Sequence, residues 1–470
     1  MNNPLLTDDL LPKFDHVRTE HMEPAIDQIL SENRVKISQL AQQDEPTWET
    51  LAQPMQATED RLERAWSVIS HLNGVMNSDD LRKVYKNCLE KLTEYSTELS
   101  QNAELCEAYK KLAASDQYNE LSEAQRKSVD NTLRDFHLGG VDLPQEKKEQ
   151  YANLSMELSE LSNRFSDNVL DATQHWFKHI TDVEELAGVP ESALDGAKQA
   201  AQQKDLDGYV ITLDFPSFYP VMTYGDNRDL RREVYEAFVT RASDMGPDAG
   251  TWDNTPVMAE ILKRRHAMAQ LLGFDNYAER SLATKMARNV DEVLDFLNQL
   301  AAKSKPIAER EFSELKAFAK DTRGVDDLQA WDIGYYSEKL RQERYDISPE
   351  TLRPWFPVDK VVPGLFAVAE KLFDVQIEAK SDVETWHPDA TAYCISRNGE
   401  PLAWFYLDLY ARQGKRGGAW MADCRVRWRN LRGQLQLPVA FLTCNFTPPV
   451  NGKPSLLTHD EVTTLFHEFG

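Results

Sequence analysis

The chain has 470 residues, 41% of them apolar and 28% charged, with a mean hydropathy of −0.56. That composition excludes a fibre, a disordered tail and a membrane protein, and at roughly 100–200 residues per domain it describes two or three domains or one large lobed body. Seventy-seven Asp and Glu against 53 Lys and Arg leave a formal net charge of −24, which repels phosphate backbones and anionic membrane surfaces, so neither nucleic acid nor membrane is an expected partner.

The first eleven residues lack a basic stretch leading into an apolar one, and no run of about eighteen apolar residues occurs anywhere, so the expected location is the cytoplasm. Cys88, Cys106, Cys394, Cys424 and Cys444 are odd in number, far apart and form no C-x-x-C pair. They read as reduced core thiols. Cys88 stands on the stripe Leu81, Tyr85, Cys88, Leu92, Tyr95 and Leu99, whose steps of three and four mark the buried face of a helix.

In chain order, the first two hundred residues read as helix after helix. Tyr151, Leu154, Leu158, Leu161, Phe165 and Val169 mark one apolar face of a long helix. Breaks come at Gly139-Gly140, at Gly188-Val189-Pro190 and at 246–250. Residues 208–213 are β-branched and aromatic; with the proline-interrupted 215–220 they predict a strand or hairpin. Helical periodicity then resumes and runs to about Phe373, broken at Pro354 and Pro357. Tyr335 and Tyr336 within it read as packing residues. The runs 375–379, 392–396, 402–410 and 438–446 are rich in Val, Tyr, Phe and Leu and bounded by turn residues, which predicts a small late sheet. The fold class is mainly α with that sheet appended.

At the C-terminal end, Thr458 and Glu461 have the T-x-x-E spacing of a capping box, so a helix starts there. Val462, Leu465, Phe466 and Phe469 are expected to form its apolar face. His467 and Glu468 then stand about 100° apart on adjacent aspects of the helix. His-Glu on a helix is the opening half of the H-E-x-x-H pattern, in which two imidazoles one turn apart bind zinc and the carboxylate serves as general base. Neutral imidazoles leave the ion its charge, which lowers the pKa of bound water to about 7. The second His of that pattern would follow Gly470. His175 and His179 share the i, i+4 spacing, but Trp176 takes the place of the carboxylate, and they read as helix-end residues. His459, more than two turns from His467, reads as local structure.

The run 438–446, Pro449, the run 451–462 and Leu465-Phe466-His467-Glu468-Phe469-Gly470 resemble the active-site approach of the thimet oligopeptidase family of zinc peptidases, closest to its bacterial members. The likeness extends through Ser70-His71-Leu72-Asn73-Gly74, Leu282-Ala283-Thr284-Lys285-Met286, Trp331-Asp332-Ile333, the run 405–410 and the run 415–421. The resemblance implies a two-lobed helical ellipsoid with a deep substrate channel and zinc at its floor, admitting short peptides and excluding folded proteins. It implies an N-terminal helical region at 1–205 and a zinc peptidase catalytic region at 206–470. On it, His467 is a Zn²⁺ ligand and Glu468 the general base of a zinc-activated water, while the family's remaining ligands and oxyanion residues would lie beyond Gly470.

The chain therefore reads as cut inside the H-E-x-x-H motif, cytoplasmic and monomeric. Taken alone, it is expected to be inactive and not to hold zinc stably. The alternative reading is a non-catalytic helical peptide-binding fragment. Strand edges commonly bind extended peptides, so the 439–446 strand, with Thr443 and Asn445, or the Gly417-Gly418 loop is expected to border the channel. An apolar patch on the C-terminal helix is expected to lie bare.

Overall fold

The structure, a computed structural model, describes residues 3–450 and 452–470; Asn451, at the start of the 451–462 run, lies outside them. Five helices, α1 (Thr19–Ala41), α2 (Gln53–Val75), α3 (Asp79–Ser100), α4 (Ala103–Ala114) and α5 (Glu123–Leu138), build the first core. On α3, Leu81, Cys88 and Tyr95 are buried as their spacing predicts, and Ser78 caps the helix by accepting from the Leu81 N–H. All five cysteines are buried and unpaired. The long helix α6 (Gln145–His175) follows Pro144, and His175 closes it. His179 lies on a strand, where its Nε2 meets the Asp207 carbonyl oxygen at 2.6 Å.

Strands β1 (Phe177–Ile180) and β2 (Tyr209–Thr212) pair antiparallel, with Phe177 opposite Thr212. The 208–213 run is thus a strand, but its partner precedes it, and the chain after it forms helix α7 (Phe215–Tyr224) rather than the second arm of a hairpin. Local hydrogen bonds turn the chain there: Ser217 Oγ accepts from the Thr212 N–H, and Thr212 Oγ1 accepts from the Asp214 N–H. Pro216 falls in the first helical turn, where its missing donor costs nothing. The division expected at 205/206 falls between these paired strands, and residues on both sides of it, from Ile180 and Leu186 to Val221 and Val234, share one cluster.

Helix α8 (Val290–Arg323) buries only Leu315 and Ala319, which pack on Tyr335 and Tyr336 of α9 (Ala330–Tyr345). Both tyrosines are therefore packing residues. Toward its start, α8 leaves Leu294, Leu297, Leu300 and Ile307 exposed on the continuation of that stripe.

The late sheet has the order β3-β4-β5-β9-β6. It comprises β3 (Gln376–Ala379), β4 (Ala390–Arg397), β5 (Glu400–Tyr410), β6 (Trp420–Arg425) and β9 (Val439–Phe446); a two-residue hairpin pair, β7 (Trp428–Arg429) and β8 (Leu435–Gln436), stands apart. Neighbours are antiparallel except β5 and β9, which run parallel with Asp408 beside Thr443. Period-two alternation divides each strand between two cores. Tyr406, Val439 and Phe441 join the core of the N-terminal helices. Phe405, Leu407, Leu409, Leu442, Cys444 and Phe446 join α10 (Val358–Phe373) and the C-terminal helix α11 (His459–Phe469) on the opposite face.

Candidate active site

The sequence of α11 dictates both its start and its seat. Thr458 Oγ1 accepts from the Glu461 N–H at 3.1 Å, and Glu461 Oε2 accepts from the Thr458 N–H at 2.8 Å, completing the predicted capping box. Glu461 Oε1 also accepts from the Thr447 N–H at 3.1 Å, so the same carboxylate ties the helix start to the segment leaving β9. Leu465 is fully buried, Val462 and Phe469 pack beside it, and the Phe469 ring lies 5.6 Å from Phe405 and 6.0 Å from Phe366. Phe466, expected on this face, is instead exposed: at 100° per residue it stands at the margin of the arc that Val462, Leu465 and Phe469 share. The bare apolar surface is therefore larger on α8 than on α11.

This seat presents His467 to solvent and leaves Glu468 half-buried beside it. Glu468 lies close enough to Cys444 on β9 to act on that thiol: burial first, and the negative charge of Glu468 in addition, push Cys444 up to about 12. The thiol is therefore an inert packing group. His459, at the first position of the helix, is exposed, and its ring meets the edge of the Phe356 ring at 6.2 Å.

The four residues expected along a substrate path divide into three situations. Thr443 is on an interior strand, paired with β5 on one side and β6 on the other, and is fully buried. Its main chain is spent in the sheet, and its side chain shares a face with Phe441, away from α11. This corrects the expectation that the 439–446 strand offers an edge. Asn445 reaches outward from the same face, and its Nδ2 donates to the carbonyl oxygens of Arg416 at 2.9 Å and Gly418 at 2.6 Å. Gly418 has φ +94, which requires glycine for the turn. Gly417 needs no such exemption, and a side-chain carbon added there would meet nothing within 4 Å.

The sheet's two edge strands are β3 and β6; the one that directly follows this loop is β6, which among the described residues pairs only with β9. Both β6 and β9 approach α11. Sequence reading passed over β6 because Gly417, Gly418, Asp423 and Arg425 masked it. Its signal was the two-residue alternation of Trp420, Ala422 and Cys424, which are more buried, with Met421 and Asp423, which are exposed. Two cavities lie elsewhere: one of about 260 Å³ beside Trp66, Leu89 and Tyr151, and one of about 370 Å³ beside Leu5, Arg64 and Trp428. Neither includes a residue of α11.

As a metal site the donor set is partial. Among the described residues, no group of three or more His, Cys, Asp or Glu side chains could hold an ion. One imidazole and one carboxylate fall short of the three protein ligands that catalytic zinc normally takes, so these residues do not by themselves fit the ion. Among the described residues, no helix is long and apolar enough to cross a membrane.

Comparison with known proteins agrees along the whole chain. Residues 221–470 match the sequence profile of Peptidase family M3, and residues 26–148 match that of the Neurolysin/Thimet oligopeptidase N-terminal domain. The chain is 54% identical over 472 residues to oligopeptidase A of Escherichia coli (strain K12), an alignment covering all of this chain and 69% of that protein. It is 50% identical to oligopeptidase A of Haemophilus influenzae, again covering all of this chain and 69% of the relative. Among solved structures, an oligoendopeptidase F-type protein of Bacillus anthracis str. Ames superposes with a TM-score of 0.52 at 16% identity, covering 93% of this chain and 63% of that one. That likeness shows the shared fold, and the chain spans less than two thirds of that structure.

Proposed function

Because the chain belongs to Peptidase family M3, we propose that it carries most of the scaffold of a cytosolic oligopeptidase that cuts short peptides internally, with His467 as one zinc ligand and Glu468 as general base. The observation that supports this is the placement of α11. Its capping box and apolar seat fix a helix whose exposed end offers an imidazole beside a carboxylate, next to the free β6 edge. A zinc ion held by a full ligand set, of which His467 would be one member, would supply the polarisation of a water and of the peptide carbonyl. The chain's own residues contribute the rest. Glu468 is half-buried and can hold a water's proton and pass it to a leaving amine. The β6 edge and the Gly417-Gly418 loop hold an extended peptide through main-chain hydrogen bonds, which give affinity with little side-chain preference. Asn445 braces that loop, and Thr443 acts behind it as core.

The partial donor set favours a second reading for the 470 residues taken alone: peptide binding without cleavage. Metal analysis and a quenched fluorescent peptide test both readings. The purified chain is expected to carry well under one zinc per molecule and to show no chelator-sensitive cleavage; robust turnover by it would refute the second reading. The same chain joined to the part of E. coli oligopeptidase A that it does not match is expected to gain both zinc and cleavage. In that chimera, His467→Ala should lose zinc, while Glu468→Gln should keep zinc and lose cleavage by about 100-fold or more. Full activity in the Glu468→Gln chimera would remove Glu468 from the mechanism.

A further inference from the structure

The face of the sheet turned to the N-terminal helices holds a group of charges that the chemistry above does not use. Asp408 of β5 and Lys415 are both fully buried, and Arg412 is mostly so. Asp408 accepts from both terminal nitrogens of Arg412 at 2.7 Å, from Lys415 Nζ at 2.7 Å and from Trp386 Nε1 at 2.9 Å. Lys415 spends its remaining protons on two main-chain oxygens, of Asp408 at 3.2 Å and of Tyr410 at 2.8 Å. An ammonium has three protons, and here there are three acceptors. Burying two cations against one carboxylate is costly, and an apolar filling of similar volume is often as stable or more so. Stability alone therefore gives no reason for this arrangement.

What the cluster does hold is the chain between β5 and β6. Arg412 Nη2 donates to the Val75 carbonyl at 3.0 Å, and the Arg416 N–H donates to that of Gly74 at 2.8 Å. The Gly414 carbonyl accepts from the Asn77 N–H at 2.8 Å, and the Gly414 N–H donates to Gln174 of α6 at 3.3 Å. Gly414 has φ +75, and a Cβ there would stand 2.9 Å from the Asn77 oxygen, so the loop is pressed onto the end of α2. With Asn445 on its far side, the segment 411–418 is fixed from β5, α2, α6 and β9 before it enters the free edge.

We infer that Lys415, acting through Asp408 and Arg412, is a positioning residue that sets the Gly417-Gly418 loop and the start of β6 for an extended peptide. This rests on the reading of that edge as the peptide site. The groups facing Lys415 are Asp408 and Arg412 from β5 and its loop, His71 from α2, Cys444 from β9 and His387 ahead of β4. Burial pulls Lys415 down to about 8, against the opposing pull of Asp408. A neutral amine has two donors for three acceptors, so one anchor is released as pH rises past 8. Global stability moves the other way: the unfolded lysine still takes a proton up to about pH 10.5, so its protonation penalises folding progressively less between 8 and 10.5. Affinity falling where stability does not is the mark of positioning.

The test uses the 470-residue chain, a fluorescein-labelled hexapeptide of Ala, Ser and Leu read by anisotropy, and amide hydrogen exchange. Lys415→Met leaves Asp408 and Arg412 as a one-to-one pair. It should speed exchange in 411–423 and weaken the peptide about tenfold, with protection of α1 to α4 unchanged. Between pH 7 and 9.5 the wild-type chain should lose affinity severalfold, and Lys415→Met should be flat. Asn445→Ala, which frees the loop from its other side without touching the buried charges, should reproduce the exchange and the weakening if Lys415→Met does not fold. Unchanged exchange in 411–423, or faster exchange with undiminished affinity, overturns the positioning role. A wild-type chain that binds no hexapeptide overturns the site reading and the role together.

Discussion

The two faces of the late sheet are built on opposite plans. Toward α10 and α11, the inward residues are Phe405, Leu407, Leu409, Leu442 and Phe446, meeting Phe366 and Leu465 in an apolar cluster. Toward the N-terminal helices, the neighbours of Tyr406 and Phe441 include Asp408, Lys415, Arg412 and His71. Apolar packing is non-directional and tolerates small sliding, whereas an ion held by three or four hydrogen bonds tolerates little. One face fastens a helix, and the other fixes the angle of a loop.

Three experiments would break or sharpen that contrast. The largest effect is expected on the charged face: Asp408→Ala leaves Arg412 and Lys415 buried without a counter-charge and should cost about 3–5 kcal/mol in denaturant unfolding. A cost below 1 kcal/mol would mean that the two faces do not differ in kind. On the apolar face, Leu465→Ala removes a fully buried side chain and should cost about 3 kcal/mol, without the pH dependence of the charged face.

The third effect is smaller and belongs to acid pH. His71 is stacked 3.7 Å from Phe441 and stands edge-on 4.0 Å from Trp386, and among the described residues both buried ring nitrogens have no partner. Burial, helped by Lys415 and Arg412 and opposed by Asp408, lowers it to about 3. The unfolded chain takes up this proton near pH 6.5 and the folded chain only near 3. Stability therefore falls as pH drops through that window, by about 2 kcal/mol at pH 5. His71→Phe should flatten the melting temperature between pH 7 and 5; an unchanged slope would assign the acid sensitivity to other groups.

Much of this was legible in the sequence wherever one strong local rule acted alone. Thr458 and Glu461 announced α11 by spacing, and the cysteine stripe of α3 announced its buried face. Four of the five late strands showed in their β-branched and aromatic runs. Where two rules compete, the reading failed. Phe215 to Pro220 has the composition of a strand, yet Pro216 suits a first helical turn and Ser217 and Thr212 bend the chain into one. β6 mixes glycine, charge and alternation, so its most informative property, being an edge, appears only with the strand order. Thr443 and Asn445 are two residues apart and share a face, yet only the end of the strand leaves Asn445 free to reach the loop. Nothing in the spacing of Asp408, Arg412 and Lys415 marks them as a buried unit, because their burial comes from α2, which lies more than three hundred residues earlier in the chain.

The register of β6 also sets a length. Its pairing with β9 runs unbroken from Trp420 to Asp423 and shifts before Arg425, whose Nη1 turns back to the carbonyl oxygens of Arg64 and Cys424. Ser67 Oγ also donates to the Cys424 carbonyl, so the strand's outer rim is already taken at that end. What stays open is about four residues, or roughly 13 Å at 3.3 Å each. A ladder of that reach acts as a ruler: it offers an added strand a few rungs and no more. The same brevity, with charged Asp423 at the rim, protects the edge from pairing with a neighbouring copy, which a long flat edge would invite.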